Sequence, residues 1–482
     1  MMVLENLYPQ RVFYYFEQMA AIPHGSRNTK AISDYLAAFA KEHELEYYQD
    51  AWNNVVIIKE ATAGYENAKP IIIQGHMDMV CEKESDCEID FEKDGLRLYV
   101  DGDFVKAQGT TLGGDDGIAV AYALALLDSD EIEHPRLEVI VTVDEEIGML
   151  GAESIDLSML KGHTMLNIDS EEEGSFLTGC AGGMSVNGTI PVTRMTQSGR
   201  KMQITVTDLA GGHSGCEIDK EHGNADILMG RVLKGIFDRT PFGILTLAGG
   251  LKDNAIPREC VAVILLPEEN INVVTEVVDK MKHAFSKEFY TSDPDVTVVC
   301  EDCGNATEEI LDYGSVNKVV YYLRSVPNGV LHMSQDMPGL VETSLNLGIM
   351  ELKQDALTLV TSIRSSVSTR KSDLCDRVIT MVEMLGGEAA VEGEYPAWEY
   401  NAKSTLRPQI AQVYQKLYGK EPEFTLIHAG LECGLLSEKI QDLDCVSFGP
   451  NIYDIHTPKE RLSIESTGRV WDFLVEFLKQ AK

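Results

Sequence analysis

Residues 70–80 limit most what this chain can become: Pro70-Ile71-Ile72-Ile73-Gln74-Gly75-His76-Met77-Asp78-Met79-Val80. Three consecutive β-branched isoleucines between a proline and a glycine spell a buried strand with an abrupt end. At that end stand His76 and Asp78. In extended backbone, residues two apart share a face, so Asp78 is placed to hold the His76 ring and leave its other nitrogen free for a metal. Two further apolar segments also run into acids: residues 137–143 into Asp144-Glu145-Glu146, and residues 165–168 into Asp169. Ahead of both, a glycine-rich loop, 109–117, opens into an Ala/Leu-rich helix over 118–127. Strands alternating with helices predict an α/β sandwich around a largely parallel sheet, in which ligands gather at the carboxyl ends of the strands.

At 482 residues the chain has room for two or three domains of roughly 150 residues. Residues 5–50 read as helical, with a turn at 22–26, and 53–58 as a strand. After Gly182-Gly183 the pattern changes to alternating strands with amphipathic helices between them, and the last ninety or so residues return to helix (406–418), strand (445–450) and helix (463–479). The expected architecture is therefore a discontinuous three-layer α/β/α domain, residues 1–185 and 393–482, with an inserted two-lobed α+β domain over 186–392.

A net charge of −36 opposes nucleic-acid binding, since phosphates would be repelled. No run of about 18 apolar residues is present, so no membrane span is expected. The opening residues lack a basic segment followed by an apolar one, which makes the cytoplasm the expected location. Ten cysteines in a chain of this length form no disulfide framework, and the Cys300-x-x-Cys303 pair has no partner at zinc-finger spacing.

Candidate chemistry therefore rests on His76, Asp115, Glu145, Glu146, Asp169 and His456. Asp115, on the turn Gly113-Gly114-Asp115-Asp116-Gly117, can approach two cations, one through each oxygen. Glu145 and Glu146 are adjacent at a strand end and project oppositely, so one serves as a ligand and the other is placed to accept a proton from water. His76 with Asp169 and Glu146 with His456 complete two sites bridged by Asp115. Nitrogen and carboxylate ligands without thiolates suit zinc, with manganese or cobalt as possible occupants. Two such ions about 3.5–4 Å apart polarise a carbonyl and activate water.

These blocks, together with Asn167-Ile168-Asp169 and His456-Thr457-Pro458-Lys459-Glu460, resemble the five motifs of the co-catalytic di-zinc peptidases. Gly211-Gly212-His213-Ser214-Gly215, Val341-Glu342-Thr343-Ser344-Leu345-Asn346-Leu347-Gly348 and His428-Ala429-Gly430-Leu431-Glu432-Cys433-Gly434 are similar, within that group, to the aminoacyl-histidine dipeptidases, which are carnosinase-like. The resemblance covers nearly the whole chain. It implies that Asp115 bridges two metal ions, that His76 and Asp169 bind one and Glu146 and His456 the other, that Glu145 is the general base, and that Asp78 orients His76. It also implies a cis peptide at Asp115-Asp116. His213 matches a residue that stabilises the oxyanion, and Asn254, Arg364 and Gly430 match residues that receive the substrate. The insertion matches a lid. The expected activity is metal-dependent hydrolysis of dipeptides, Xaa-His and β-alanyl-histidine included, by a cytoplasmic enzyme that acts on small peptides and is a possible homodimer. The alternatives are a related tripeptidase or N-acyl amino acid deacylase, or a silent metal-binding scaffold, against which the presence of Glu145 argues.

Overall fold

The isoleucine run lies where its composition demands. Strand Ile71–His76 is buried along its whole length and pairs in parallel with Leu137–Thr142 on one side and Thr164–Asn167 on the other. The computed structural model describes residues 2–482, and the chain forms two compact units. One comprises the chain up to Cys180 with Tyr400–Leu426 and Leu431–Lys482; the other comprises Ala181–Glu399 and Ile427–Gly430.

The first unit is built on an eight-stranded sheet, in the order Glu46–Gln49, Val55–Lys59, Leu137–Thr142, Ile71–His76, Thr164–Asn167, Asp444–Ser447, Ser175–Cys180, Glu423–Ile427. Its centre is parallel, as the alternating sequence pattern predicts. Glu46–Gln49 and Val55–Lys59, by contrast, pair antiparallel. Residues 46–49 are thus an edge strand and not the helix expected of them. The short 50–54 connection allows a hairpin, and the Asp50 carboxylate closes it by accepting the Trp52 and Asn54 N–H groups, both at 2.9 Å.

Helix Gly114–Asp128 is buried on nearly every side and touches both the Ile71–His76 strand and helix Gln10–Ala20. Small residues allow this: a Cβ at Gly75 would lie 2.5 Å from both Ala119 Cβ and Asp116 Oδ2, so only glycine lets the helix cross the strand here. Helices Leu406–Tyr418 and Ile464–Gln480 pack together, with Phe473 edge-on to Phe176 and Phe448.

The second unit carries a nine-stranded sheet. Eight strands follow one another in the order Thr297–Leu311, Arg194–Thr207, Cys260–Leu266, Gly243–Gly249, Val341–Leu352, Ala356–Ser365, Gly182–Pro191, Glu388–Tyr395, and Gly329–Met333 lies beside Val341–Leu352. The two lobes expected of this region share that one sheet, joined through the pairs Ala248↔Glu351 and Gly249↔Met350. The unit begins at Ala181 and not at 186, because Gly182 and Gly183 already pair with Ser365 and Arg364 in this sheet. It extends beyond 392 because Tyr395 still pairs with Gly183. Cys300 and Cys303 lie on its edge strand Thr297–Leu311 and belong to no metal-capable cluster among the described residues. Among the described residues no helix is long and apolar enough to cross a membrane.

One buried acid of this unit has no functional partner. Asp226, in the first turn of helix Ala225–Phe237, is fully buried, and neither carboxylate oxygen has a well-formed hydrogen bond, although the Cys260 thiol faces it. Burial pushes its pKa up to about 8. The unfolded chain ionises this aspartate above about pH 4, whereas the folded chain keeps it neutral to about 8, so it subtracts increasingly from stability as pH rises between those values. Asp226→Asn removes that dependence. In urea unfolding at a series of pH values, the variant should gain on the wild type with rising pH, by at most about 1.4 kcal/mol per pH unit. A difference that stays constant from pH 5 to pH 8 would show that Asp226 is ionised in the folded chain.

Candidate active site

The parallel strands of the first unit deliver their side chains to one end of the sheet. His76 closes strand Ile71–His76, Asp169 follows Thr164–Asn167, and Glu145 and Glu146 follow Leu137–Thr142. Asp115 enters from the start of helix Gly114–Asp128, where its backbone is still non-helical and its peptide to Asp116 is cis. His456 arrives from the far end of the sequence. A four-stranded sheet in the order Ile452–Tyr453, Arg461–Ser463, Phe104–Ala107, Leu98–Asp101 fixes the loop that carries it.

Asp115 stands between the two histidines, with Oδ1 3.2 Å from His76 Nε2 and Oδ2 3.2 Å from His456 Nε2. His76 Nε2 is also 3.6 Å from Asp169 Oδ1, and His456 Nε2 is 3.0 Å from Glu146 Oε2. Donor atoms bound tetrahedrally at 2.0–2.1 Å stand about 3.3 Å apart, which is the spacing found here. Glu146 Oε1 is buried with no hydrogen-bond partner, and a cation there would satisfy it. The residues therefore fit two divalent ions.

Glu145 and Glu146 do not alternate as strand residues would. The strand ends at Thr142, and Asp144 takes a left-handed φ of 54°, so both carboxylates turn toward the cluster. Glu146 approaches His456, while Glu145 Oε2 stays 4.0 Å from His76 Nε2. Asp78 holds His76 less through its carboxylate than through its main chain. His76 Nδ1 donates to the Asp78 carbonyl at 3.0 Å, and Asp78 Oδ1 is 3.5 Å away. Either contact leaves Nε2 facing the carboxylates.

Charge explains the titration of the group. Burial raises Asp169 to about 6. Burial also lifts Glu145 well above the ordinary glutamate range, against the pull of His76 and with help from Asp169, Glu432 and Glu146. Contacts with Asp115 and Glu146 hold His456 up at about 10. At His76 burial disfavours the charge, but contacts with Asp115, Asp169 and Asp78 outweigh it and raise the pKa well above normal. Protons here balance the acids, and binding of divalent cations releases them.

Two acids without an assigned role in the sequence support this group. Glu460 accepts the backbone N–H groups of Leu112 (2.7 Å), Gly113 (3.2 Å), Gly114 (2.8 Å) and, more weakly, Asp115 (3.4 Å), so the His456 loop cradles the turn that carries Asp115. Burial raises its pKa to about 7. Glu432 is buried behind His76, accepting from Gln74 Nε2 at 2.5 Å and Thr142 Oγ1 at 2.6 Å. Both acids fall inside motifs visible in the sequence, but their partners lie hundreds of residues away.

His213, Asn254, Arg364 and Gly430 belong to the second unit. His213 Nδ1 accepts the N–H groups of Gly215 (3.2 Å) and Cys216 (3.1 Å), which leaves the ring proton on Nε2. A Cβ at Gly215 would lie 2.7 Å from the His428 carbonyl, 3.0 Å from His213 Cε1 and 3.2 Å from Arg364 Cζ, so this glycine lets the three converge. Arg364 Nη1 donates to Tyr395 Oη at 2.8 Å, while its Nε is buried without a partner. His428 Nε2 meets Ser344 Oγ at 2.7 Å, and burial, then Arg364, lower its pKa to about 3. Ser344, Tyr395 and His428 join this cluster without having been singled out by sequence. Asn254 is exposed and connects to it through its carbonyl, which accepts the Ser214 N–H at 2.8 Å. Gly430 follows His428 by two residues in the same connecting segment, 427–430.

Nitrogen and oxygen donors around an acid able to take a proton are the make-up of a metal-dependent hydrolase. The family model described as Peptidase family M20/M25/M40 matches residues 72–480, and the chain belongs to that family. Membership implies divalent metal ions. The chain is 35% identical over 479 residues to the cytosol non-specific dipeptidase of Escherichia coli (strain K12), covering 99% of each. The crystal structure of aminoacylhistidine dipeptidase from Vibrio alginolyticus matches with a TM-score of 0.94 and 36% identity, over 99% of this chain and 97% of that one. Aminopeptidase PepT from Bacillus cereus ATCC 10987 shares the fold, with a TM-score of 0.58 at 14% identity over 98% of this chain and 99% of that one.

Glu460 supplies a direct test of the cradle. Glu460→Ala removes the acceptor of three or four N–H groups around Asp115 and should weaken metal binding roughly 10–100-fold, the usual cost of losing such support. Chelator competition followed by metal analysis measures it. Unchanged affinity would show that the turn keeps its shape without the carboxylate.

Proposed function

We propose that this enzyme is a metal-dependent dipeptidase that cleaves unblocked dipeptides, with Xaa-His, β-alanyl-histidine included, among its preferred substrates. The observation that carries the reading is Asp115, with one oxygen 3.2 Å from each of two histidines that have separate acids beside them. The names of the relatives from Escherichia coli and Vibrio alginolyticus support the dipeptide and the C-terminal histidine. The name of the Escherichia coli relative supports a cytosolic location.

In this reading His76, Asp115 and Asp169 would hold one divalent ion and Asp115, Glu146 and His456 a second, zinc by preference. Such ions would supply the Lewis acidity that this chemistry needs at the scissile carbonyl and at the attacking water. Glu145 takes the proton of the attacking water and later gives it to the leaving amine. His213, with its proton on Nε2, donates to the oxyanion. Arg364, oriented by Tyr395, pairs with the substrate's free C-terminal carboxylate through a fork that can make two parallel hydrogen bonds. Asn254 and the backbone at Gly430 receive the substrate's main chain. The second unit acts as a lid.

Glu145→Gln should retain the metal ions while turnover falls roughly 10²–10⁴-fold, as measured by metal analysis beside steady-state rates. Loss of metal comparable to that of Asp115→Ala would assign Glu145 to the ligands instead. The carboxylate clamp predicts that amidating the C-terminus of an Xaa-His substrate lowers kcat/KM roughly 10–200-fold, the worth of about 1.5–3 kcal/mol for a hydrogen bond to a charged group. Equal rates on acid and amide would remove the clamp, and faster cleavage of Xaa-His-Xaa would make the enzyme a tripeptidase.

A further inference from the structure

The turn at residues 22–27 lies outside the 72–480 region that matches the family, yet it is anchored to the loops of the site. Gly25 bridges to Met79, and the Ser26 N–H donates to the Met79 carbonyl at 3.3 Å. His24 is buried, and its Nδ1 meets the Ile22 carbonyl at 2.6 Å, which closes the turn on itself. From this anchored position the turn makes two hydrogen bonds that converge on the segment bearing Glu145. Ser26 Oγ donates to Asp78 Oδ2 at 2.8 Å, and the other oxygen of that carboxylate, Oδ1, accepts the Glu145 N–H at 3.1 Å. The Arg27 N–H donates to Asp144 Oδ1 at 2.6 Å. Asp144 and Arg27 both take left-handed φ, at 54° and 67°, conformations that persist where neighbours hold them.

From this geometry we propose that Ser26 is a positioning residue for Glu145: its hydroxyl fixes the plane of the Asp78 carboxylate, and that carboxylate fixes the backbone from which Glu145 projects. The proposal rests on the reading of Glu145 as the base. It separates two duties of Asp78. The main-chain carbonyl of Asp78 holds His76 at 3.0 Å, so loss of Ser26 leaves the histidine held while freeing the base. A displacement of the base by a fraction of an ångström costs rate without costing substrate affinity.

The test uses the full-length metal-loaded enzyme with Ser26→Ala and Ser26→Thr, and hydrogen–deuterium exchange of the metal-free protein. In Ser26→Ala, kcat should fall roughly 10–100-fold with KM within about twofold, metal content should stay at the wild-type level, and the peptide spanning Glu145 should exchange about tenfold faster than in the wild type. Ser26→Thr, which keeps the hydroxyl, should restore both kcat and protection. Wild-type kcat in Ser26→Ala, or a fall in kcat without faster exchange around Glu145, overturns the proposal, as does a fall that appears in KM alone. Full activity of Glu145→Gln overturns the reading of the base instead, and it does so independently of the exchange measurement.

Discussion

The structure turns on the two oxygens of one carboxylate. Asp115 faces His76 with one and His456 with the other, and around it Asp169, Glu145 and Glu146 crowd into the same end of the sheet. Burial raises the pKa values of Asp169 and Glu145, and the neighbouring carboxylates add to the rise. Divalent cations, which membership of the family implies, would bring such a group nearer neutrality, and the 3.0–3.6 Å between its nitrogen and oxygen atoms leaves the spacing such ions need. Much of the first unit can be understood as the apparatus that keeps these acids together. The strand has glycine at 75 so that the helix bearing Asp115 can cross close above it, and Glu460 wraps the turn of that helix from the opposite end of the sequence.

That apparatus works because negative charge is placed where backbone donors point. Glu460 sits among successive N–H groups of a glycine-rich turn, a concavity that binds anions whether they come from a ligand or from the chain itself. Asp78 is held in the same manner, between Ser26 and the Glu145 amide. Each therefore links segments far apart in sequence through hydrogen bonds to a charged group, which are the stronger kind. A side chain without an acceptor at either place would leave amide donors unpaired in the interior, at a cost of about 1–3 kcal/mol each.

What the sequence discloses and what it conceals divide along the same line. The strand ends at His76, Asp169 and Glu145 could be read because alternation, a glycine stop and a following acid are local signals, and the α/β class follows from their spacing. The helix Leu406–Tyr418 is bounded where its periodicity ends. The hairpin strand Glu46–Gln49 could not be read, because four residues, three of them exposed, carry no periodicity. The pairing of Glu460 with residues 112–115, or of Ser26 with Asp78, leaves no local trace, since each depends on how two distant loops meet. The direction of the Glu145 and Glu146 side chains depended on one left-handed residue, Asp144, that nothing in its neighbours requires. In the second unit the motifs around Ser344 and His428 were visible as text, but the 2.7 Å contact between them was not.

The second unit answers the charge of the first with a different economy of protons. Arg364 is the fixed cation of its cluster, and it helps keep both nearby histidines neutral: His428 falls to about 3, chiefly by burial and then through Arg364, and the same two causes lower His213. A neutral His213 whose Nδ1 is already occupied by two backbone N–H groups can offer only its Nε2–H. While neutral it is therefore a donor of one fixed direction. The raised acids of the first unit and the lowered histidines of the second thus each follow from burial together with the charges their own unit places nearby.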